Sequence, residues 1–169
     1  MNVVHASIDE NRNTRGGNAG DQTGKEVCIA AFNPNRGWNV VLRPSKARIA
    51  ELMVKKGVKL ANSNLVGYDQ NQRNTLHDLM QKYDYNAAKY IKSGKKSETD
   101  CSAFVTCLAI ASGVKELEYT YNAPTTSNMV KKFTDTGKFT RIPYRKGMEL
   151  KPGDILVKEG SHTALYIGI

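Results

Sequence analysis

The chain has 169 residues, of which 40% are apolar and 24% charged, and it carries a formal net charge of +9. This length and balance predict one globular domain, spanning 1–169, with a sizeable core. No stretch approaches the roughly 18 apolar residues that a membrane-spanning helix needs. The N-terminus also lacks the basic segment and apolar run of a secretory signal, so we expect neither membrane insertion nor export by that route.

The hydrophobic pattern predicts an α+β order, with helices gathered in the middle and strands at both ends. Ser45 is placed to start the first helix and Gly57 to stop it. The polar, glycine-rich stretch 11–24 is predicted to be a loop. In chain order, the expected elements are strands at 3–6, 27–32 and 38–43, helices at 46–56, 75–83, 87–91, 101–111 and 127–133, and strands at 139–142, 155–157 and 163–167.

Three cysteines make an odd count, and their positions fit neither a metal motif nor a disulfide framework. Cys28 lies in a predicted apolar strand and Cys107 in the middle of a predicted helix, where small buried side chains are the usual occupants. We therefore expect a protein that is made in a reducing compartment, without metal or cofactor. Cys101 requires a different account.

Cys101 lies in the first turn of an apolar helix, directly after the capping-type residues Thr99 and Asp100. Gly113 follows the predicted end of this helix. Unpaired amide donors and the helix dipole favour a thiolate at such a position, and a thiolate is the nucleophilic form of cysteine. A buried cysteine that merely fills space is about as good an account of this segment alone.

His162 supplies the second half of the argument. Pro152-Gly153 predicts a turn, a short apolar strand follows, and His162 opens a second strand of the same hairpin. A cysteine nucleophile needs a base that is brought close in space, commonly from a distant part of the chain. Cys101 and His162 are the pair that could meet this requirement.

These two segments resemble the NlpC-type peptidases, papain-like cysteine enzymes that hydrolyse bacterial peptidoglycan. The resemblance covers about a quarter of the chain, while the segments 19–27 and 67–74 look like catalytic domains of phage and prophage endolysins from Gram-positive hosts. It implies a papain-like fold with a central antiparallel sheet packed on the nucleophile helix. The matching residues are Asp100-Cys101-Ser102, Phe104-Val105, Pro152-Gly153-Asp154-Ile155-Leu156, His162 and Tyr166-Ile167-Gly168.

The chain departs from that family where a third polar residue should follow the histidine strand and orient the imidazole, because it ends at Ile169. Either the residue lies beyond 169 or the domain is circularly permuted. Permutation would assign the role to His5 on the first strand, which would then close the sheet against the last strand. Asp21 and Gln22 are alternatives, and His5 could have no role.

The resemblance also implies substrate contacts. Asp100 and Ser102 occupy the positions that contact the free amine end of a stem peptide, although helix capping alone would account for Asp100. Tyr68 is a candidate second oxyanion donor, but it lies farther from the cysteine in sequence than the family's tyrosine does. A rival base, His77, is better explained as a solvated histidine on a helix face.

The sequence is best interpreted as a peptidoglycan hydrolase in which Cys101 thiolate and protonated His162 cleave a stem-peptide amide, as an endopeptidase or an N-acetylmuramoyl-L-alanine amidase. The basic charge would concentrate a monomeric enzyme on the polyanionic Gram-positive wall, rather than on nucleic acid. We expect it in the host cytoplasm until lysis, with a wall-binding module following in the full-length protein. Alternatives are an acyltransferase or deamidase on the same fold, and a non-catalytic basic module that binds the wall or nucleic acid.

Overall fold

A computed structural model describes residues 1–169 as a mixed α+β domain. None of its helices is long and apolar enough to cross a membrane. The strands are β1 (Asn2–Ala6), β2 (Val27–Ala31), β3 (Val40–Pro44), β4 (Val66–Tyr68), β5 (Ser97–Thr99), β6 (Phe139–Pro143), β7 (Ile155–Lys158) and β8 (His162–Gly168). The helices are α1 (Ala47–Ser63), α2 (Thr75–Lys82), α3 (Ala87–Ser93), α4 (Cys101–Ala111) and α5 (Met129–Asp135), with short 3₁₀ turns at Gln70–Gln72 and Lys115–Leu117.

Six strands form one sheet in the order β2-β1-β8-β7-β3-β6, and every neighbouring pair is antiparallel. β7 and β8 form the hairpin that the sequence predicts, with Lys158 opposite His162. The first strand lies beside the last one, with Val4 opposite Leu165. The expectation that the two ends of the chain close a single sheet is therefore confirmed.

The core lies between one face of this sheet and the helices. Inward-facing residues such as Val4, Leu42 and Leu165 pack with α1 and α4 in a cluster of 30 buried residues. Residues of alternate register, such as Val41 and Leu156, point to the opposite face, where they form a smaller buried cluster with Trp38. Helix α4 is buried on all sides from Cys101 to Ile110, as its apolar sequence predicts.

The predicted stop of the first helix at Gly57 is wrong. Helix α1 continues to Ser63 and ends at Asn64, whose φ of 58° is left-handed. Gly57 instead allows close packing, because a β-carbon there would lie 3.2 Å from Leu108 Cδ1 and 3.4 Å from Leu165 Cδ2. Its small size lets the helix approach both α4 and the sheet.

A second, two-stranded sheet was absent from the sequence-based prediction. β4 and β5 pair in parallel, with Tyr68 opposite Thr99. Each strand has only three residues, so neither gives a period-2 pattern long enough to recognise. This small sheet places Tyr68 beside the start of α4.

Candidate functional site

Cys101 begins α4, and the preceding residue caps the helix. Asp100 has an extended backbone, and its Oδ1 accepts a hydrogen bond from the backbone N–H of Ala103 at 3.0 Å. This geometry confirms the predicted helix start. The cysteine is only 8% exposed, and the nearby backbone N–H groups of Ser102 and Thr163 act to lower the pKa of its thiol. Thr163 follows His162, so the thiol lies near the start of β8.

His162 and His5 meet across the β1–β8 pairing. His162 Nε2 lies 3.3 Å from His5 Nδ1, and the two rings meet edge to face at 77°. This contact leaves Nδ1 of His162 free for another partner. Of the alternatives to His5, Asp21 accepts hydrogen bonds from backbone N–H groups of its own loop, and the side-chain amide of Gln22 donates to the Ala19 carbonyl.

Burial dominates the ionisation of these three residues. It raises the pKa of Cys101 to about 11, with the charge of Asp100 acting in the same direction. It lowers the pKa of His162 to about 3 and that of His5 to about 4, with Arg36 adding to both shifts. The thiolate expected from the helix dipole is therefore disfavoured, because the lost hydration outweighs the helix dipole. The neutral thiol and neutral imidazole are the favoured resting forms.

Trp38 packs against the ring of His162, a contact that the sequence analysis missed. Their ring centroids are 5.9 Å apart and the planes are inclined by 30°. The indole N–H donates to the carbonyl of Asn33 at 2.9 Å, and the guanidinium of Arg36 lies 5.9 Å from the indole centroid. The single tryptophan of the chain is the one sequence feature that could have marked this contact, because a buried indole packs a large apolar surface against its neighbours.

Arg73 is the second residue that the sequence analysis missed. It pairs with Asp100 through two hydrogen bonds, Nε to Oδ2 at 2.7 Å and Nη2 to Oδ1 at 3.1 Å. Nη2 also donates to Ser102 Oγ at 2.8 Å. Asp100 and Ser102, the predicted contacts of a substrate amine, are thus both engaged with one arginine.

Tyr68 lies close enough to the site for the charges of Cys101 and Asp100 to act on its hydroxyl. Burial raises its pKa to about 12, and these two charges act in the same direction. The hydroxyl accepts a hydrogen bond from Gln70 Nε2 at 3.2 Å. Its own hydrogen is therefore available to a further acceptor, and the long sequence separation from Cys101 is closed by the pairing of β4 with β5.

His77, the rival base, is buried rather than solvated as predicted. Its ring stacks on Tyr119 with centroids 3.9 Å apart, Nε2 lies 3.0 Å from the hydroxyl of Tyr85, and Nδ1 lies 3.0 Å from Asp78 Oδ1. Both ring nitrogens thus have partners within or next to α2. No group of three or more His, Cys, Asp or Glu side chains has the arrangement needed to hold a metal ion.

Comparison with known proteins gives one result that spans the domain. No curated protein and no solved structure gives a significant match. The family model described as "Endolysin-like domain" matches residues 3–168, from the strand of His5 to the end of the strand of His162. The chain therefore belongs to the endolysin-like domain family.

Proposed function

We propose that this domain hydrolyses an amide bond of bacterial peptidoglycan by cysteine chemistry during phage-driven lysis. Membership of the endolysin-like family supports cell-wall lysis as the setting. The observation that carries the chemistry is the contact between His162 Nε2 and His5 Nδ1 at 3.3 Å, next to Thr163, whose backbone N–H acts on the thiol of Cys101. In a catalytic triad, a third residue orients the base toward the nucleophile, and this contact would give His162 such a partner.

The tautomer of His162 follows from its assigned role. To accept the thiol proton, Nδ1 must carry a lone pair, so Nε2 must carry the hydrogen and donate it to His5 Nδ1. His5 then carries its hydrogen on Nε2. His5 would hold the imidazole in plane and stabilise the imidazolium that forms during attack, without itself contacting the substrate.

Proton transfer then accompanies attack instead of preceding it, since both resting groups are favoured as neutral. The thiol proton passes to His162 Nδ1 as Cys101 Sγ bonds to the amide carbon. The imidazolium gives this proton to the leaving nitrogen as the C–N bond breaks. Water, deprotonated by the same imidazole, attacks the thioester and releases a carboxylic acid with the free thiol.

Two donors are available for the oxyanion. The backbone N–H of Cys101 lies at the helix N-terminus, where it has no intrahelical acceptor. The hydroxyl of Tyr68 stays protonated at neutral pH, because its pKa is raised, and its hydrogen is not used by Gln70. We propose these two groups as the oxyanion hole. Direct recognition of a substrate amine by Asp100 and Ser102 stays a prediction.

We also propose that the domain has a permuted papain-like fold. The antiparallel sheet against the nucleophile helix supports it, and β1 occupies the position next to the histidine strand from which an orienting residue would come. The net charge of +9 favours accumulation on a polyanionic wall. Synthesis in the host cytoplasm and action on the wall during lysis fit the family.

The test is clearing of purified Gram-positive peptidoglycan by the wild type, Cys101→Ala and His162→Ala, with a metal chelator present throughout. Cys28→Ala is the matched control, because it removes a half-buried thiol on an edge strand. We expect clearing by the wild type and the control only. Equal clearing by all four proteins would exclude this site. Mass spectrometry of the products identifies the cleaved bond, and products without new amino groups would point to an acyltransferase or deamidase.

A further inference from the structure

Arg73 lies at the end of the 3₁₀ turn before α2, and its side chain is only 11% exposed. Its guanidinium makes six hydrogen bonds to two separate parts of the chain. The first part is the start of α4, through Asp100 and Ser102 as described above. The second part is the segment 121–127, which we name the bridging segment. There, Nη1 donates to Asn122 Oδ1 and to the Ala123 carbonyl at 2.7 Å each, and Nη2 donates to the Pro124 carbonyl at 2.9 Å.

These contacts use every donor that the arginine has. A guanidinium carries five N–H groups and no acceptor. The six acceptors require both hydrogens of Nη1, the single hydrogen of Nε, and both hydrogens of Nη2, one of them shared. No N–H remains for a substrate carboxylate or carbonyl. Arg73 therefore has no hydrogen bond to offer the substrate, and it can affect the reaction only through the groups that it holds and through its charge.

Asn74 also forms hydrogen bonds with the bridging segment. Its Oδ1 accepts from the backbone N–H of Ala123 at 3.1 Å, and its Nδ2 donates to the Tyr121 carbonyl at 3.2 Å and to Asn122 Oδ1 at 3.0 Å. Two consecutive side chains thus pin the bridging segment to the nucleophile end of the site.

The other end of the bridging segment reaches the histidine hairpin. The backbone N–H of Gly160 donates to the carbonyl of Thr126 at 3.1 Å, and Gly160 precedes His162 by two residues. A continuous path of hydrogen bonds and covalent chain therefore runs from the cap of the Cys101 helix, through Arg73 and the bridging segment, to the turn that leads into His162.

The arginine also controls the charge beside the thiol. Asp100 is the charged neighbour that opposes ionisation of Cys101, and Arg73 is the neighbour that favours it. The pair is bidentate and largely buried, so its two charges offset one another close to the sulfur. Without Arg73, the carboxylate of Asp100 would act on the thiol unopposed.

We propose that Arg73 is a positioning residue that ties the Cys101 helix to the His162 hairpin through residues 121–127 and neutralises Asp100 beside the nucleophile. The reaction that it serves rests on the function proposed above. The positioning role does not rest on that function, because it concerns only how the thiol and the imidazole are held.

The test separates the two effects by the pH dependence of Cys101 alkylation with iodoacetamide, followed by mass spectrometry of the Cys101 peptide. Arg73→Lys keeps the charge but loses the planar fork, so it should retain the wild-type alkylation midpoint while its rate falls toward that of His162→Ala. Arg73→Gln should lose the rate and also move the midpoint to higher pH. Arg48→Lys is the control, because Arg48 is exposed and its only ion pair, with Glu51, is 4.0 Å long; it should match the wild type.

Turnover on peptidoglycan gives the second measurement. Arg73→Lys should lower kcat by about tenfold to a hundredfold, since displaced reacting groups lose that much rate, and leave KM nearly unchanged. Asn122→Ala is a second variant that should fold normally, because the residue is exposed. Its side chain accepts hydrogen bonds from both Arg73 and Asn74, so we expect a smaller fall in kcat than for Arg73→Lys.

Alkylation profiles of Arg73→Lys and Arg73→Gln that match the wild type would overturn the proposal, as would a change confined to KM. A wild type that fails to clear peptidoglycan would contradict the proposed hydrolase function and leave the alkylation result to decide the role of Arg73.

Discussion

The Cys101 end of the candidate site is held by charged hydrogen bonds, whereas the His162 end is held by aromatic rings. At the cysteine, Arg73 and Asp100 form a bidentate ion pair around the helix cap. At the histidine, one imidazole contact at 3.3 Å and the face of Trp38 fix the ring, with no carboxylate among its contacts. The hydrogen bonds at the cysteine end fix the direction of each polar group. The packed rings at the histidine end fix the plane of the imidazole, but they supply no charge to balance an imidazolium.

On the cysteine side, loss of the proposed oxyanion donor, Tyr68, should have the largest effect on kcat. Tyr68→Phe keeps the ring and removes the one hydroxyl, so we expect kcat to fall by about a hundredfold to a thousandfold, as for loss of an oxyanion-hole donor elsewhere. Steady-state kinetics on purified peptidoglycan measures this, with Tyr166→Phe as the control tyrosine. A wild-type kcat would leave Tyr68 with a packing role only.

On the histidine side, His5→Ala should lower kcat by about tenfold to a hundredfold, within the range of acid–base assistance. The fall is smaller because His5 acts through His162. His5→Asn offers a side-chain amide in place of the imidazole, so partial recovery is expected if orientation is the role. Equal activity of both variants and the wild type would remove His5 from the site.

Removing the ring contact is a milder test of the same end. Trp38→Phe keeps an aromatic face against His162 but gives up the hydrogen bond to the Asn33 carbonyl. We expect a loss in kcat below about tenfold and a destabilisation of about 1 kcal/mol, the net value of one hydrogen bond. Thermal unfolding and kinetics on the same sample measure both; a loss larger than that of His5→Ala would mean that packing outweighs the His5 contact.

The last prediction concerns the pH dependence of stability and no change in turnover. His5 has a folded pKa of about 4 against an ordinary value of 6.5, so between these values the unfolded chain binds more protons and stability is lost as pH falls. Wild type should therefore lose about 1 to 2 kcal/mol relative to His5→Gln between about pH 7 and pH 5. Urea unfolding of both proteins measures the difference. A constant difference across that interval would contradict the buried neutral imidazole.

The comparison with the variant is needed because other buried groups titrate in the opposite sense. Burial raises the pKa of Glu26 and of Glu98 to about 7 each. For these carboxyl groups the folded chain binds more protons between their ordinary value and pH 7, so their contribution to stability falls as pH rises. Wild-type stability alone would thus show a flattened curve.

The candidate site residues that could be proposed from sequence are those with local signals, and their catalytic roles stay predictions. A capping residue marked Cys101, a Pro-Gly turn and an apolar strand marked His162, and the apolar strand at the N-terminus marked His5. Arg73 and Trp38 gave no such signal, because their roles depend on partners 27 and 124 positions away in the chain. The role of Gly57 was predicted wrongly because glycine is favoured both where a helix ends and where a helix packs closely against its neighbours.

The pairing of β1 with β8 has a consequence for how the domain folds. The two histidines are separated by 157 positions, so their contact is among the most non-local that this chain can make. Contacts of this kind form late, because the entropy of closing so long a loop must be offset before they contribute. Helix α4, with Cys101, can form from nearby residues, but His162 meets His5 only when β1 and β8 have paired. For the proposed site, activity would therefore report completion of the fold, and a fragment lacking β1 or β8 would keep the Cys101 thiol without the paired histidines.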